Sequence, residues 1–132
     1  MTSTRPATNA QARHRLRTAQ AYLEVARLAL GEDSPMLAVA AGDAVLAGIA
    51  GADAICAVRL GSIHRGKNHR EAVTLLKTAT PDGQKLAAVF ARLIDVKDEA
   101  HYGLAGIASG KAADAVKWAG VIVERACEEV ER

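Results

Sequence analysis

Residues 34–60 read SPMLAVAAGDAVLAGIAGADAICAVRL. Ser34 offers its hydroxyl as an N-cap acceptor, and Pro35 at the first helical position loses no hydrogen bond. Alanine dominates the rest of the segment; it is the best helix former, and its small side chain lets helix axes approach closely. Gly42, Gly48 and Gly51 each weaken the helix by about 1 kcal/mol relative to alanine, a loss that close contact with another helix offsets. The stretch is apolar on nearly every face, so it is expected to be central, covered by the other helices or by a second subunit. Asp43 and Asp53 interrupt it, which favours a buried core helix over a membrane span. A carboxylate in such a setting must be paired, hydrogen-bonded or exposed. An arginine on a neighbouring helix, or exposure along a groove, is the expected arrangement.

The flanking segments repeat the helical pattern. Upstream, Ala12, Leu16, Ala19, Leu23, Ala26 and Leu30 recur at spacings of four and three, which places them on one stripe of a helix over residues 8–30. Gly31 is expected to end it in a left-handed conformation. Downstream, a loop over Gly61–Lys67 leads to Asn68, a cap for the short helix HREAVTLLKTA. Thr80-Pro81 repeats the cap-plus-proline start. The helix after it carries Leu86, Phe90, Leu93, Lys97, Ala100 and Leu104 on one stripe. Ser109 is expected to cap a last helix whose inner face holds Ala115, Ala119, Ile122 and Ala126. With one tryptophan, one phenylalanine and two tyrosines, the core must be built from aliphatic side chains. The short connections favour antiparallel neighbours. The expected fold is all-α: an antiparallel four-helix bundle with an additional short helix, five helices in all. Residues 10–130 are read as one domain behind a flexible N-terminus, residues 1–9. That N-terminus has no apolar run of the secretory kind.

A net charge of +2 is too small to imply nucleic-acid binding by itself. Its distribution says more. Arg5, Arg13, Arg15, Arg17 and Arg27 crowd the first helix region, and Arg65, Lys67, Arg70 and Lys77 the third. Glu32, Asp33, Asp43 and Asp53 lie between them. The two basic segments either meet as an anion-attracting patch or serve as a solvated surface. Cys56 and Cys127 have no ligand spacing and read as buried small hydrophobes in a reducing, cytoplasmic setting. No metal site and no cofactor is expected: there is no HExxH motif, no Walker loop and no nucleophile elbow.

The long first helix, the Ala-rich helix ending in AGADAICAVRLG, the loop into NHREAVTLL and the later LIDVKDEAHYG together resemble a HEPN domain, a nucleotide-binding domain of higher eukaryotes and prokaryotes. The resemblance spans roughly residues 10–130. It implies a compact helical bundle, a homodimer, and work in toxin–antitoxin, defence or RNA-processing systems. Catalytic members share an Arg-x4–6-His motif late in the chain, which implies metal-independent RNA cleavage at the dimer interface. Arginine there holds phosphate and histidine transfers protons.

The corresponding place is Lys97-Asp-Glu-Ala-His101, followed by Tyr102. Lys97 and His101, four apart on a helix, share a face. Lys97 gives a point charge without the bidentate fork of arginine, and the spacing is shorter than the motif's. Lys97, His101 and Tyr102 are therefore the candidate catalytic residues of a degenerate site. The structural alternative has Lys97 snorkelling from the core edge and His101 at a helix end. Arg59-x4-His64 matches the motif's spacing, but on the wrong element. His64, Arg65, Lys67, His69 and Arg70 form the second candidate, a phosphate or other anion site at a helix N-terminus. The alternative there is a loop in which Asn68 simply caps its helix.

The expectation is a HEPN-like binding or regulatory domain for nucleotide or RNA phosphate, without strong catalysis. Its expected partners are a second copy of itself, RNA or nucleotide, and an antitoxin or other protein, with no membrane. The first rival is a metal-independent endoribonuclease using Lys97 and His101 at a dimer cleft. The second is a bundle whose only ligand is another protein.

Overall fold

The computed structural model describes residues 3–31, 34–103 and 106–132; the side chains of Ser34, His101 and Tyr102 fall outside that description. The described chain is mostly helical, with five helices and two short strands. Strand β1 is Thr4–Pro6 and helix α1 Asn9–Ala29. Helix α2 is Ser34–Leu60 and strand β2 Ser62–His64. Helices α3, α4 and α5 follow at His69–Ala79, Gly83–Tyr102 and Ser109–Val130. The all-α expectation holds. The strand pair is an addition to it.

Helix α1 starts with a capping box. Thr8 Oγ1 accepts from the Gln11 backbone N–H at 3.1 Å, and Gln11 Oε1 accepts from the Thr8 N–H at 2.8 Å. Two otherwise orphaned donors are thereby satisfied. Ala12, Leu16, Ala19, Leu23, Ala26 and Ala29 form its buried stripe. The helix does not end on a left-handed Gly31. Leu30 closes the last turn in right-handed geometry, its N–H on the Ala26 carbonyl at 3.1 Å. Among the described residues, positive φ is confined to Gly61, Gly66 and Gly106.

Helix α2 is the hub, packed against α1, α4 and α5. It is long and apolar enough to cross a membrane by length and composition. Here Ala40, Ala44, Ala47, Ala54 and Ile55 are fully enclosed by the other helices. Two glycines explain how closely they approach. A Cβ on Gly48 would stand 2.3 Å from Leu93 Cδ2, and one on Gly51 3.1 Å from Ile122 Cγ2. Phe90, Leu93, Leu76 and Ile122 fill the remaining core; each such burial stabilises by roughly 1.5–3 kcal/mol relative to exposure.

Helices α1 and α2 run antiparallel, as do α4 and α5. Arg15 of α1 meets Asp53 of α2, and Asp82 before α4 meets Arg125 late in α5. Helices α2 and α5, separated by two others in the chain, instead lie side by side in the same direction. Gly51 faces Ile122 and Val123, and further along Arg59 meets Glu129. Helix α3 folds back on α4.

Residues 4–6, within the segment expected as a flexible lead-in, form β1. It pairs antiparallel with β2 in the register Thr4 to His64, Arg5 to Ile63 and Pro6 to Ser62. Gly61, at φ +68, makes the turn out of α2 that starts the ribbon. Ile63 then closes over Ala12 and Ala57. Two expected starts are corrected. Asp82, not Thr80, is the cap position of α4, and Thr80 donates its hydroxyl to Asp82 Oδ1 at 2.7 Å. Ala108 holds the cap position of α5, and Ser109 is already helical. Proline at 81 and the short polar loop shift these turns by one or two residues.

Candidate functional site

The cap expected at Asn68 is present: its Oδ1 accepts from the Arg70 N–H at 3.1 Å. This turns the start of α3 toward the outer part of α4. Between them lies a cleft of about 270 Å³ lined by Lys67, Asn68, His69 and Arg70 from one side and Asp95, Lys97 and Asp98 from the other. The two candidate sites read from the sequence thus share Lys97, Lys67, His69 and Arg70 in one place.

The members of that cleft differ in how free they are. Arg70 is engaged with Asp95 at 2.7 Å, an exposed pair of the kind worth little to stability. Lys67 and Lys97 have no ion-pair partner among the described residues. The His69 imidazole is held below its usual value, first by burial, then by the Lys97 charge and by His64. It is therefore neutral at pH 7. Its Nδ1 is buried and has no hydrogen-bond partner among the described residues. With His69 neutral, three cations face two carboxylates.

His64 and Arg65 do not line the cleft. The His64 side chain is 6% exposed, and its Nε2 lies 3.4 Å from Glu71 Oε2. Backbone pairing of β2 with β1 holds it there, so the five-residue basic cluster is divided. Arg59 and His64 do not act as a motif either, since they turn to different partners, Arg59 to Glu129 and His64 to Glu71. Helix α4 is continuous to Tyr102, so Lys97 and His101 are one helical turn apart; the side chains of His101 and Tyr102 lie outside the described residues.

Asp53 has the arginine partner expected of it. Arg15 donates to Asp53 Oδ2 through Nε at 3.2 Å and Nη2 at 3.0 Å. Burial raises the carboxyl's pKa even against the pull of Arg15. Cys56 and Cys127 are both free thiols, and burial pushes Cys56 up to about 12. Among the described residues, no three His, Cys, Asp or Glu side chains gather as a metal-holding group.

The sequence reading missed a network at the far end of α5. Glu129, its side chain 1% exposed, accepts from Nε and Nη2 of Arg59 and from Nη1 of Arg125. Arg125 also forks onto Asp82, with Nε to Oδ2 at 3.0 Å and Nη2 to Oδ1 at 3.2 Å. Hydrogen bonds from the arginines hold Glu129 and Asp82 each down to about 2. A signal for it existed. Glu129 continues the spacing of Ile122 and Ala126, a carboxylate on an otherwise apolar stripe.

No family model matches the chain, and no curated protein matches it.

Proposed function

We propose that this protein is a HEPN-like helical binding or regulatory module that takes a phosphate group of nucleotide or RNA in the cleft between α3 and α4. The observation that carries the reading is the meeting of Lys97 with Lys67 and His69 at the capped start of α3. Two unpaired ammonium groups favour an anion there, and the N-terminal dipole of α3 adds a contribution that Glu71 in its first turn partly offsets. The partnerless Nδ1 of His69 adds a hydrogen-bonding group. Asp95 and Asp98 weaken the attraction, which fits a modest binder better than a strong one. In this reading α1, α2, α4 and α5 are the bundle and α3 the additional helix. The protein works in the cytoplasm as a homodimer, in a toxin–antitoxin, defence or stress setting, without strong catalysis.

A second reading is a metal-independent ribonuclease using Lys97, His101 and Tyr102 across a dimer cleft. It is favoured by the neutral imidazole of His69 in the same cleft as Lys97, an arrangement of phosphate holder beside proton acceptor.

The test is fluorescence anisotropy with labelled single-stranded RNA in EDTA, for the full chain and for Lys97→Ala. The proposal expects saturable binding that Lys97→Ala weakens, with the RNA left intact. Cleavage lost in His101→Ala or His69→Ala would replace it with the ribonuclease. Equal binding by Lys97→Ala rules out the cleft as the binding site.

A further inference from the structure

A second basic pocket, separate from the α3–α4 cleft, forms where the start of α1 meets the ends of α2 and α5. It has a volume of about 370 Å³, and Asn9, Arg13, Arg59, Arg132 and the carboxylate of Glu129 surround it, with Val58 and Val130 as its apolar part. The charge of this pocket is organised from beneath. Arg59 and Arg125 face Glu129 and Asp82, and Glu128 also reaches Arg125 at 3.6 Å, so that network carries no excess positive charge. Glu129 fixes the plane of the Arg59 guanidinium by taking Nε and Nη2. Nη1 of Arg59 is left without a hydrogen-bond partner among the described residues.

Arg13 and Arg132 add charge beyond that balance. Arg13 has no ion-pair partner among the described residues, and Arg132 only reaches Glu129 at 4.0 Å with a side chain 67% exposed. Asn9 is the first residue of α1, and the first turn of that helix holds no acidic residue. Its partial positive charge is therefore not offset, as an Asp or Glu there would offset it.

We infer that this pocket binds a terminal phosphate, the monoester of a small phosphorylated molecule or of a nucleic-acid end. Three guanidiniums lining one pocket against the single carboxylate of Glu129 leave an excess of two positive charges, which matches a group with three terminal oxygens and a charge of about −1.5 to −2. A phosphodiester inside a chain offers a single charge and two free oxygens, a poorer match. The volume leaves room for a sugar-sized body against Val58 and Val130.

Isothermal titration of the full chain with a nucleoside 5′-monophosphate tests this, with inorganic phosphate and the unphosphorylated nucleoside alongside. Arg13→Gln and Arg132→Gln alter exposed side chains outside the buried network, so both variants should retain the wild-type circular dichroism. Each should weaken the monophosphate by about tenfold, the loss of one charge-assisted contact. Lys97→Ala should remove only the share bound in the α3–α4 cleft, and Arg13→Gln should weaken the remaining monophosphate binding equally in the wild-type and Lys97→Ala backgrounds, which separates the two sites. A 5′-phosphorylated oligoribonucleotide bound more tightly than its 5′-hydroxyl form identifies a nucleic-acid end as the source. Equal binding of the two, with the free monophosphate still bound, identifies a small molecule. The inference is overturned if the monophosphate does not bind at millimolar concentration, if the nucleoside binds equally well, or if the two arginine variants bind like wild type.

Discussion

Glu129 and Arg59 join the ends of α5 and α2 through two hydrogen bonds, from Nε and Nη2 of the guanidinium to the two carboxylate oxygens. The carboxylate is almost wholly buried and Arg59 partly exposed. Glu129 is ionised because Arg59 and Arg125 both serve it. Two helices that share a direction are thereby fixed in register along their length.

Glu129→Ala should be among the most destabilising single changes in the chain. It leaves two guanidiniums without their shared carboxylate and a cavity where that side chain was buried, so the urea midpoint should fall clearly. Urea unfolding at pH 7 measures this. A loss within experimental error of zero would mean the network holds nothing together.

The same network sets an acid limb. Glu129 and Asp82 titrate at about 2 in the folded chain, below the unfolded values of 4.5 and 3.8. A depressed folded pKa contributes stability that is complete above the unfolded value and is lost as pH falls toward the folded one. Stability should therefore decline from about pH 5 down toward 2. Asp53 acts in the opposite sense, since burial raises its pKa and its ionisation costs the folded state. Glu129→Gln should flatten the decline in urea midpoints between pH 5 and pH 3, and an unchanged slope would remove Glu129 as its source.

Gly48→Ala inserts a methyl against Leu93, itself fully buried. Overpacking of this kind costs about 1–3 kcal/mol. Gly31→Ala is the control, because a Cβ there meets nothing within 4 Å and its φ is not positive. Thermal unfolding should separate the two variants clearly. Equal melting temperatures would show that α2 and α4 approach less closely than the Gly48–Leu93 contact requires.

Cys56 is buried and titrates at about 12, whereas Cys127 is only partly buried. Because thiolate is the reactive form, iodoacetamide at pH 8 should modify Cys127 ahead of Cys56 in the native protein. Mass spectrometry of the peptides reads the order directly.

Much of the architecture was legible because it rests on local rules. The Ala12–Leu16–Ala19–Leu23–Ala26 stripe, the cap at Asn68 and the burial of the Ala-rich α2 follow from spacing and small side chains. The strand pair was hidden because residues 4–6 and 62–64 carry no period long enough to read, and each makes sense only against the other. The cleft was half legible. Lys97 and the Lys67–Arg70 run stood out as charges, but their meeting depends on α3 folding back on α4, which no local pattern encodes. The same tertiary fact divides His64 from the cluster, since β2 belongs to the ribbon. Glu129 was overlooked because its neighbours in sequence look like any amphipathic helix. Its partner Arg59 lies seventy positions away.

The salt dependence of RNA binding tests the central claim most directly. The logarithm of affinity should fall linearly with the logarithm of salt concentration, and Lys97→Ala should reduce that slope by about one contact's worth while weakening binding. A wild-type slope near zero, or a Lys97→Ala slope and affinity equal to wild type, would contradict a phosphate site between α3 and α4.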